Sequence, residues 1–446
     1  MAVYIFYHSY PMFIKTTIFT ATLLASTVLF AGTIELSLID SSVSKHPDVV
    51  EKANEIALKA LSIDQILAEE GLHINLSTQS KLPILFNVDD SRLSEVDDTY
   101  INSVVTLQKN LYDFGVFDHK MNAEKNRKKA LELEYLQIYE TTLQKLLNTV
   151  NDVARLQALR HNYKQTISTA SSTVEQIKLR FTSGIGTIME VRRAQLQVLD
   201  LETEMETVQR QLTLKRLTLR DEFGIVVNQL NSLQAIIQNF VATLELEQQD
   251  ISDVLVNTEL SYQRSVRLIT LEKLALFNQI DALEASGLPQ LVGTLTGVVY
   301  DVITGYEGYE IYGSVNVSLP LYDSGLSASK KRSLSHQIKM QDDLMLALRQ
   351  NKSLALQKLT KQYRERQSEK NSADKKETNL SERLAQIKQR LAVVDDGLLT
   401  KLQTQLQLAQ TERILLVHPY HLNSLNINYW TLSEQLLEKM NLNPAR

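Results

Sequence analysis

The run HPYH sets His418 and His421 three residues apart, a close pair of zinc-ligand side chains in this 446-residue chain. Pro419 lies between them, so the run reads as a surface loop without a metal. Gly184 and Gly186, in RFTSGIGTIMEV, raise a second possibility, a loop that cradles a dinucleotide. No third glycine follows and no strand precedes them, as such a site requires. Neither a P-loop lysine motif nor HExxH occurs. The absence of cysteine excludes disulfides, thiolate metal centres, cysteine nucleophiles and a lipidated N-terminal cysteine. With 47 basic and 52 acidic residues interspersed, no basic face offers itself to nucleic acid. The charged run 363–390 reads first as the solvated face of a long helix and second as a partner-binding surface, and Trp430 with the Asn/Leu-rich C-terminal segment belongs to packing. No catalytic constellation and no cofactor site emerge, so the chain is expected not to be an enzyme.

The elements that hold these residues are written twice. LQKNLYDFG at 107–115 and VSLPLYDSG at 317–325 both end in Leu-Tyr-Asp-x-Gly and lie 210 positions apart; EEGLH at 69–73 and ASGLP at 285–289 lie 216 apart; Gly184 and Gly397 lie 213 apart. Three landmarks in one order at nearly one offset indicate a tandem duplication. Between them, 116–183 and 326–396 contain neither glycine nor proline, which removes the strongest helix breakers. A continuous helix of either length would reach roughly 100 Å. After Gly184 a heptad seam runs through Val191, Val198, Met205, Leu212 and Leu219, with Ala194, Leu201 and Val208 at the second position, interrupted only by Lys215. Gly184 and Gly397 are therefore the tips of helical hairpins, where glycine supplies the positive φ that ends a helix.

Before each long helix stand two strand-like segments: 72–80 and 99–109, joined by a loop holding Asp89, Asp90, Asp97 and Asp98, then 289–303 and 310–321. In the last, Ile311, Gly313, Val315, Val317 and Leu319 alternate with Glu310, Tyr312, Ser314, Asn316 and Ser318. A strand that spans a bilayer needs about 9–11 residues, and such alternation suits either a barrel with a wet lumen or a half-buried soluble sheet. At the N-terminus Lys15 precedes an apolar run, 16–30, that ends in Ala31 and Gly32, the order of a secretory signal. Export, and strands tied to such long helices, favour the membrane. Four strands cannot close a barrel, and open edges in hydrocarbon cost several kcal/mol for each unpaired group. Closure then has to come from further copies of the chain.

These features resemble the TolC family of outer-membrane channels. The resemblance spans about 33–437 and rests on the duplication, on the strand-to-helix junctions Leu111, Tyr112, Asp113, Gly115 and Leu321, Tyr322, Asp323, Gly325, on GLP at 287–289, and on RFxxGxxTxxEV at the first tip. It implies a mostly α fold with a small β part: two tandem repeats, long antiparallel coiled-coil helices forming a periplasmic tunnel, and four strands per chain in a shared trimeric twelve-stranded β-barrel. It further implies a homotrimer in the lipid of the outer membrane, serving efflux or type I secretion. Its partners would be a periplasmic adaptor, docked on the tips at Gly184, Gly397, Arg180, Thr187 and Glu190, and an inner-membrane pump of the RND or ABC type. Glu190 stands where the family usually has aspartate. At the second tip the family's gate residues are replaced by Val394, Leu399, Gln403 and Leu406, so that gate chemistry does not carry over. Glu190, Asp395, Asp396, Leu399 and Gln403 are the candidates at the channel mouth.

The expected layout is a signal peptide at 1–32, a first repeat at 33–224 with strands about 72–109, a linker at 225–250, and a second repeat at 251–446 with strands about 289–321. The competing class is a periplasmic coiled-coil adaptor without a pore, which would need compact β domains at the base of its hairpin.

Overall fold

The computed structural model describes residues 36–81, 100–226, 229, 233–234, 263–300, 308–391 and 397–444. After a helical stretch at 36–44 come α1 (Pro47–Glu69), β1 (His73–Lys81), β2 (Tyr100–Tyr112), α2 (Val116–Thr182) and α3 (Ile188–Phe223). Then follow α4 (Gln263–Ala285), β3 (Gln290–Tyr300), β4 (Gly308–Ser318), α5 (Leu326–Leu391), α6 (Leu398–Leu432) and the single turn α7 (Leu436–Lys439). Helix, strand, strand, long helix, tip, helix thus occurs twice. The signal at 1–32, the aspartate loop between the first two strands, most of the linker at 225–250, and Val394, Asp395 and Asp396 lie outside the described residues. The chain divides into two compact units, one of 1–50, 136–263 and 350–446, the other of 51–135 and 264–349.

In the first unit the heptad seam finds its partners. Ala170, Val174 and Ile177 of α2, Val191, Ala194 and Leu201 of α3, and Leu402 of α6 form one buried cluster, with Val198 and Leu399 packed against it. Lys215, the polar break in the seam, reaches Asp152 of α2 at 2.8 Å, where Arg155 also bonds at 3.2 Å. A coiled coil tolerates a charge at such a position when the facing helix supplies its counterion.

The HPYH run is not a surface loop, contrary to its sequence reading. It lies inside α6, with His418 only 8% exposed. Pro419 removes a single helix hydrogen bond, the one to the Leu415 carbonyl, while α2 secures the helix on the far side of the break. Asn151 Nδ2 donates to the Tyr420 carbonyl at 2.8 Å, and Ser424 Oγ donates to Asn148 Oδ1 at 2.9 Å. Burial lowers the pKa of both imidazoles, helped by Lys370 at His418 and by Arg366 at His421. No cluster able to hold a metal ion occurs among the described residues.

In the second unit each short helix is strapped to the long helix that follows the strands. Lys52 and Lys59 of α1 pair with Glu134 and Glu124 of α2 at 3.2 and 2.8 Å. Lys273 of α4 pairs with Asp342 of α5 at 2.5 Å, and Glu284 of α4 with Lys331. Burial pushes the Glu124 carboxyl up, but the Lys59 hydrogen bond and the Arg127 charge more than reverse it and hold it below the usual range. The strands form one antiparallel sheet in the order β1-β2-β3-β4, so the two repeats join through β2 and β3. Two boundaries differ from expectation. β4 ends at Ser318 because Pro320 has no N–H to offer a ladder, and β2 runs on to Tyr112 through a bulge between Asn110 and Tyr112.

Candidate functional site

Register sorts the side chains of the sheet, since residues paired across strands share a face. One face carries the pairs Ile74 with Leu107, Leu76 with Val105, Leu107 with Leu295, Val299 with Tyr309, and Leu291 with Val317. The other carries Asn75 with Thr106, Gln79 with Asn102, Thr106 with Thr296, and Thr294 with Ser314. The apolar face is bare, and on the polar face the edge strands are exposed too, with Thr296 buried at the centre. Ile311, Val315 and Val317 are 66, 61 and 65% exposed, whereas Thr296 on the polar face is 8% exposed. A sheet made for water covers its apolar face; this one leaves it uncovered. Exposed tyrosines stand at both ends of the apolar face, Tyr309 and Tyr112, where a membrane strand places its aromatic girdles. The bulge that sets Tyr112 on this face also lays Leu111 across Gly293, where an added Cβ would lie 3.0 Å from the leucine Cδ1.

Both Leu-Tyr-Asp-x-Gly motifs turn a strand into a helix by one device. Phe114 and Gly115 have φ of 55° and 88°, and Ser324 and Gly325 have 53° and 80°, two left-handed residues in succession. The preceding aspartate then caps the helix. Asp113 accepts from the N–H groups of Gly115 and Phe117 at 3.0 and 2.6 Å, and Asp323 from those of Gly325 and Ser327 at 2.9 and 2.8 Å. The hydrogen bonds from Ser327, with that of Gly325, lower the Asp323 pKa, so this cap contributes above the unfolded carboxyl value and is lost as pH falls through the lower folded one. Asp113→Ala should cost about 1 kcal/mol and Asp323→Ala should destabilise in the same direction. Urea unfolding of the single and double variants measures this, and unchanged midpoints would contradict the capping role.

At the first tip α2 ends in a Schellman turn: Ile185 N donates to the Arg180 carbonyl at 2.9 Å and Gly184 N to that of Phe181 at 3.0 Å, with Gly184 at φ 78°. Thr187 then starts α3 with a capping box, in which Glu190 N donates to Thr187 Oγ1 and Thr187 N to Glu190 Oε2. Gly186, at φ 106°, lies against that carboxylate; an added Cβ would sit 3.0 Å from Oε2. The motif RFxxGxxTxxEV is therefore first a reversal device, with Val191 buried behind it. Sequence reading missed the apolar group around the turn: Leu179, Phe181, Ile185, Ile188 and Met189 are all exposed. They lie off the heptad seam, which was the available signal. At the second tip Gly397, at φ 120°, starts α6 without a side-chain cap. Of the mouth candidates there, Leu399 packs on the buried cluster and Gln403 is exposed.

The site thus combines a bare apolar sheet face, sheet edges β1 and β4 that find no partner strand among the described residues, and glycine-tipped helical hairpins. Residues 50–224 match the model of the family described as outer membrane efflux protein. The resemblance to TolC channels read from the junction and tip motifs holds. No curated protein sequence matches. Among solved structures, the outer membrane protein VceC of Vibrio cholerae shares the fold with a TM-score of 0.72 and 14% identity, over 92% of this chain and 97% of that one. The CmeC outer membrane channel of Campylobacter jejuni aligns with a TM-score of 0.69 and 13% identity, over 92% and 90%. The open-state MtrE channel of Neisseria gonorrhoeae aligns with 0.67 and 13%, over 90% and 89%.

Proposed function

We propose that the chain is the exit duct of a tripartite efflux or type I secretion system: a passive channel in the bacterial outer membrane, powered by an inner-membrane pump and reached through a periplasmic adaptor. The observation that carries this reading is the bare apolar face of a sheet whose edges, β1 and β4, find no partner strand among the described residues. Lipid covers such a face, and further copies of the sheet satisfy its edges. Two copies would give eight strands, a barrel filled by its own side chains; three give twelve and leave a channel, so a homotrimer fits a duct. The signal at 1–32 directs export, 225–250 links the repeats, and the polar sheet face lines the water path.

The adaptor docks on the tips at Gly184 and Gly397, near Arg180, Thr187 and Glu190, and opening is an iris-like repacking of the hairpins. Glu190, Asp395, Asp396, Leu399 and Gln403 border the mouth. Mass measurement in detergent and planar-bilayer conductance test the proposal: a trimer that conducts is expected, and a monomer that leaves bilayers silent would refute it. Gly184→Val meets no clash, since nothing lies within 4 Å of its Cβ position, and costs about 1–2 kcal/mol in left-handed strain. Together with Gly397→Val it should impair export while trimers persist, and normal export by the double variant would remove the tips from the docking surface.

A further inference from the structure

Two histidines of α6 stand where that helix meets α5 and α2. His418 is 8% exposed, and the charges that act on it come from α5: Lys370 and Arg366, with Asp374 and Glu369 against them. His421, half-buried one turn on, feels Arg366 and Glu369 of α5, Arg155 of α2, and His418 itself. Beside it a groove of about 590 Å³ opens between α5 and α6, lined by Glu365, Arg366 and Glu369 on α5 and by His421, Ser424 and Asn428 on α6.

Neither ring has a hydrogen-bond partner among the described residues. The nearby carboxylates are engaged or open to water: Glu369 accepts from Arg366 at 2.7 Å, Glu365 pairs with Lys361 at 3.8 Å, and Asp374 is exposed. On α2, Arg155 is held by Asp152 at 3.2 Å. A proton taken up by either ring therefore creates a poorly solvated charge that faces cations and finds none of these carboxylates both free and buried. Burial first, then Lys370 at His418 and Arg366 at His421, hold both rings below the usual imidazole pKa. The helix is also weakened here, since Pro419 leaves the Leu415 carbonyl without its usual donor.

We propose that α5 and α6 meet here in an acid-released joint: protonation of His418 and His421 frees α5 from α6 beside Pro419, while Asn148 and Asn151 keep α6 tied to α2. The neutral rings contribute stability above the unfolded imidazole value of about 6.5, and that stability is lost as pH falls through the lower folded values. The joint is a property of these three helices alone; that its release widens the duct rests on the channel reading above.

Hydrogen exchange of the purified full-length protein in detergent, at about pH 7.5 and about pH 5.5 on either side of the ordinary imidazole value, tests it. After correction for intrinsic rates, amides at 362–374 and 411–421 are expected to exchange several-fold faster at the lower pH, while those at 148–155 keep their protection. The double variant His418→Gln, His421→Gln should lose this response. Lys370→Gln leaves both rings in place and should reduce it, which keeps the test alive if the double variant misfolds. Equal exchange at the two pH values, or an acid response of the same size in parent and variants, would overturn the proposal. Conductance of the same preparations separates the two readings: a channel that ignores pH while the joint loosens removes only the gating role, and a silent protein whose joint loosens removes the channel but not the joint.

Discussion

Val315→Arg and Ile311→Arg are expected to abolish insertion and conductance, while Ser314→Arg, the immediate neighbour of Val315, inserts normally and shifts the ion preference toward anions. The three residues differ in face. Val315 and Ile311 lie on the bare apolar side of the sheet, Ser314 on the polar side opposite Thr294. A cation on the lipid side of a barrel costs about 2–4 kcal/mol near the midplane, and each copy of the chain incurs it. Membrane fractionation and single-channel recording read both effects. A Val315→Arg protein that inserts and conducts like the parent, or a Ser314→Arg protein that fails to insert, would reverse the assignment of the faces and remove the barrel with it.

Leu402→Ala is expected to lower stability by about 2–5 kcal/mol, the range for emptying a buried leucine site. Leu402 is fully buried among α2 and α3 side chains, close behind the Gly397 tip. Its loss should free the start of α6 before it affects anything else. Hydrogen exchange should quicken at 398–409, 170–177 and 191–201, while amides of the sheet at 290–300 and 308–318 keep their protection. Uniform exchange changes across both regions, or none, would show that this cluster does not secure the tip.

Much of this architecture was legible because its periods are long and simple. Glycine-free stretches of some 70 residues admit little but helix, and the alternation from Ile311 to Val317 survived in β4. What escaped the reading depended on contacts between distant segments. The bulge that extends β2 comes with Leu111 lying over Gly293 in the other repeat, a contact no local pattern encodes. HPYH misled because the proline rule is local, whereas the support for that helix comes from Asn148 and Asn151, some 270 positions earlier. Lys215 was visible as a break in the seam, but its counterion Asp152 was not. At the first tip the letters were right and their meaning incomplete: Thr-x-x-Glu is a capping signature, and Glu190 has that structural duty before any docking one.

The pairing of β2 with β3 welds two near-copies into one sheet, each already holding a strand hairpin, an aspartate-capped junction and a glycine-tipped pair of helices. On the proposed ring of three chains, a gene half as long could have built the same wall from six identical pieces. The two tips of one chain nonetheless differ: one has a Schellman turn with a capping box, while the other begins its helix on a bare glycine. On the proposed ring, a sixfold frame would carry threefold chemistry.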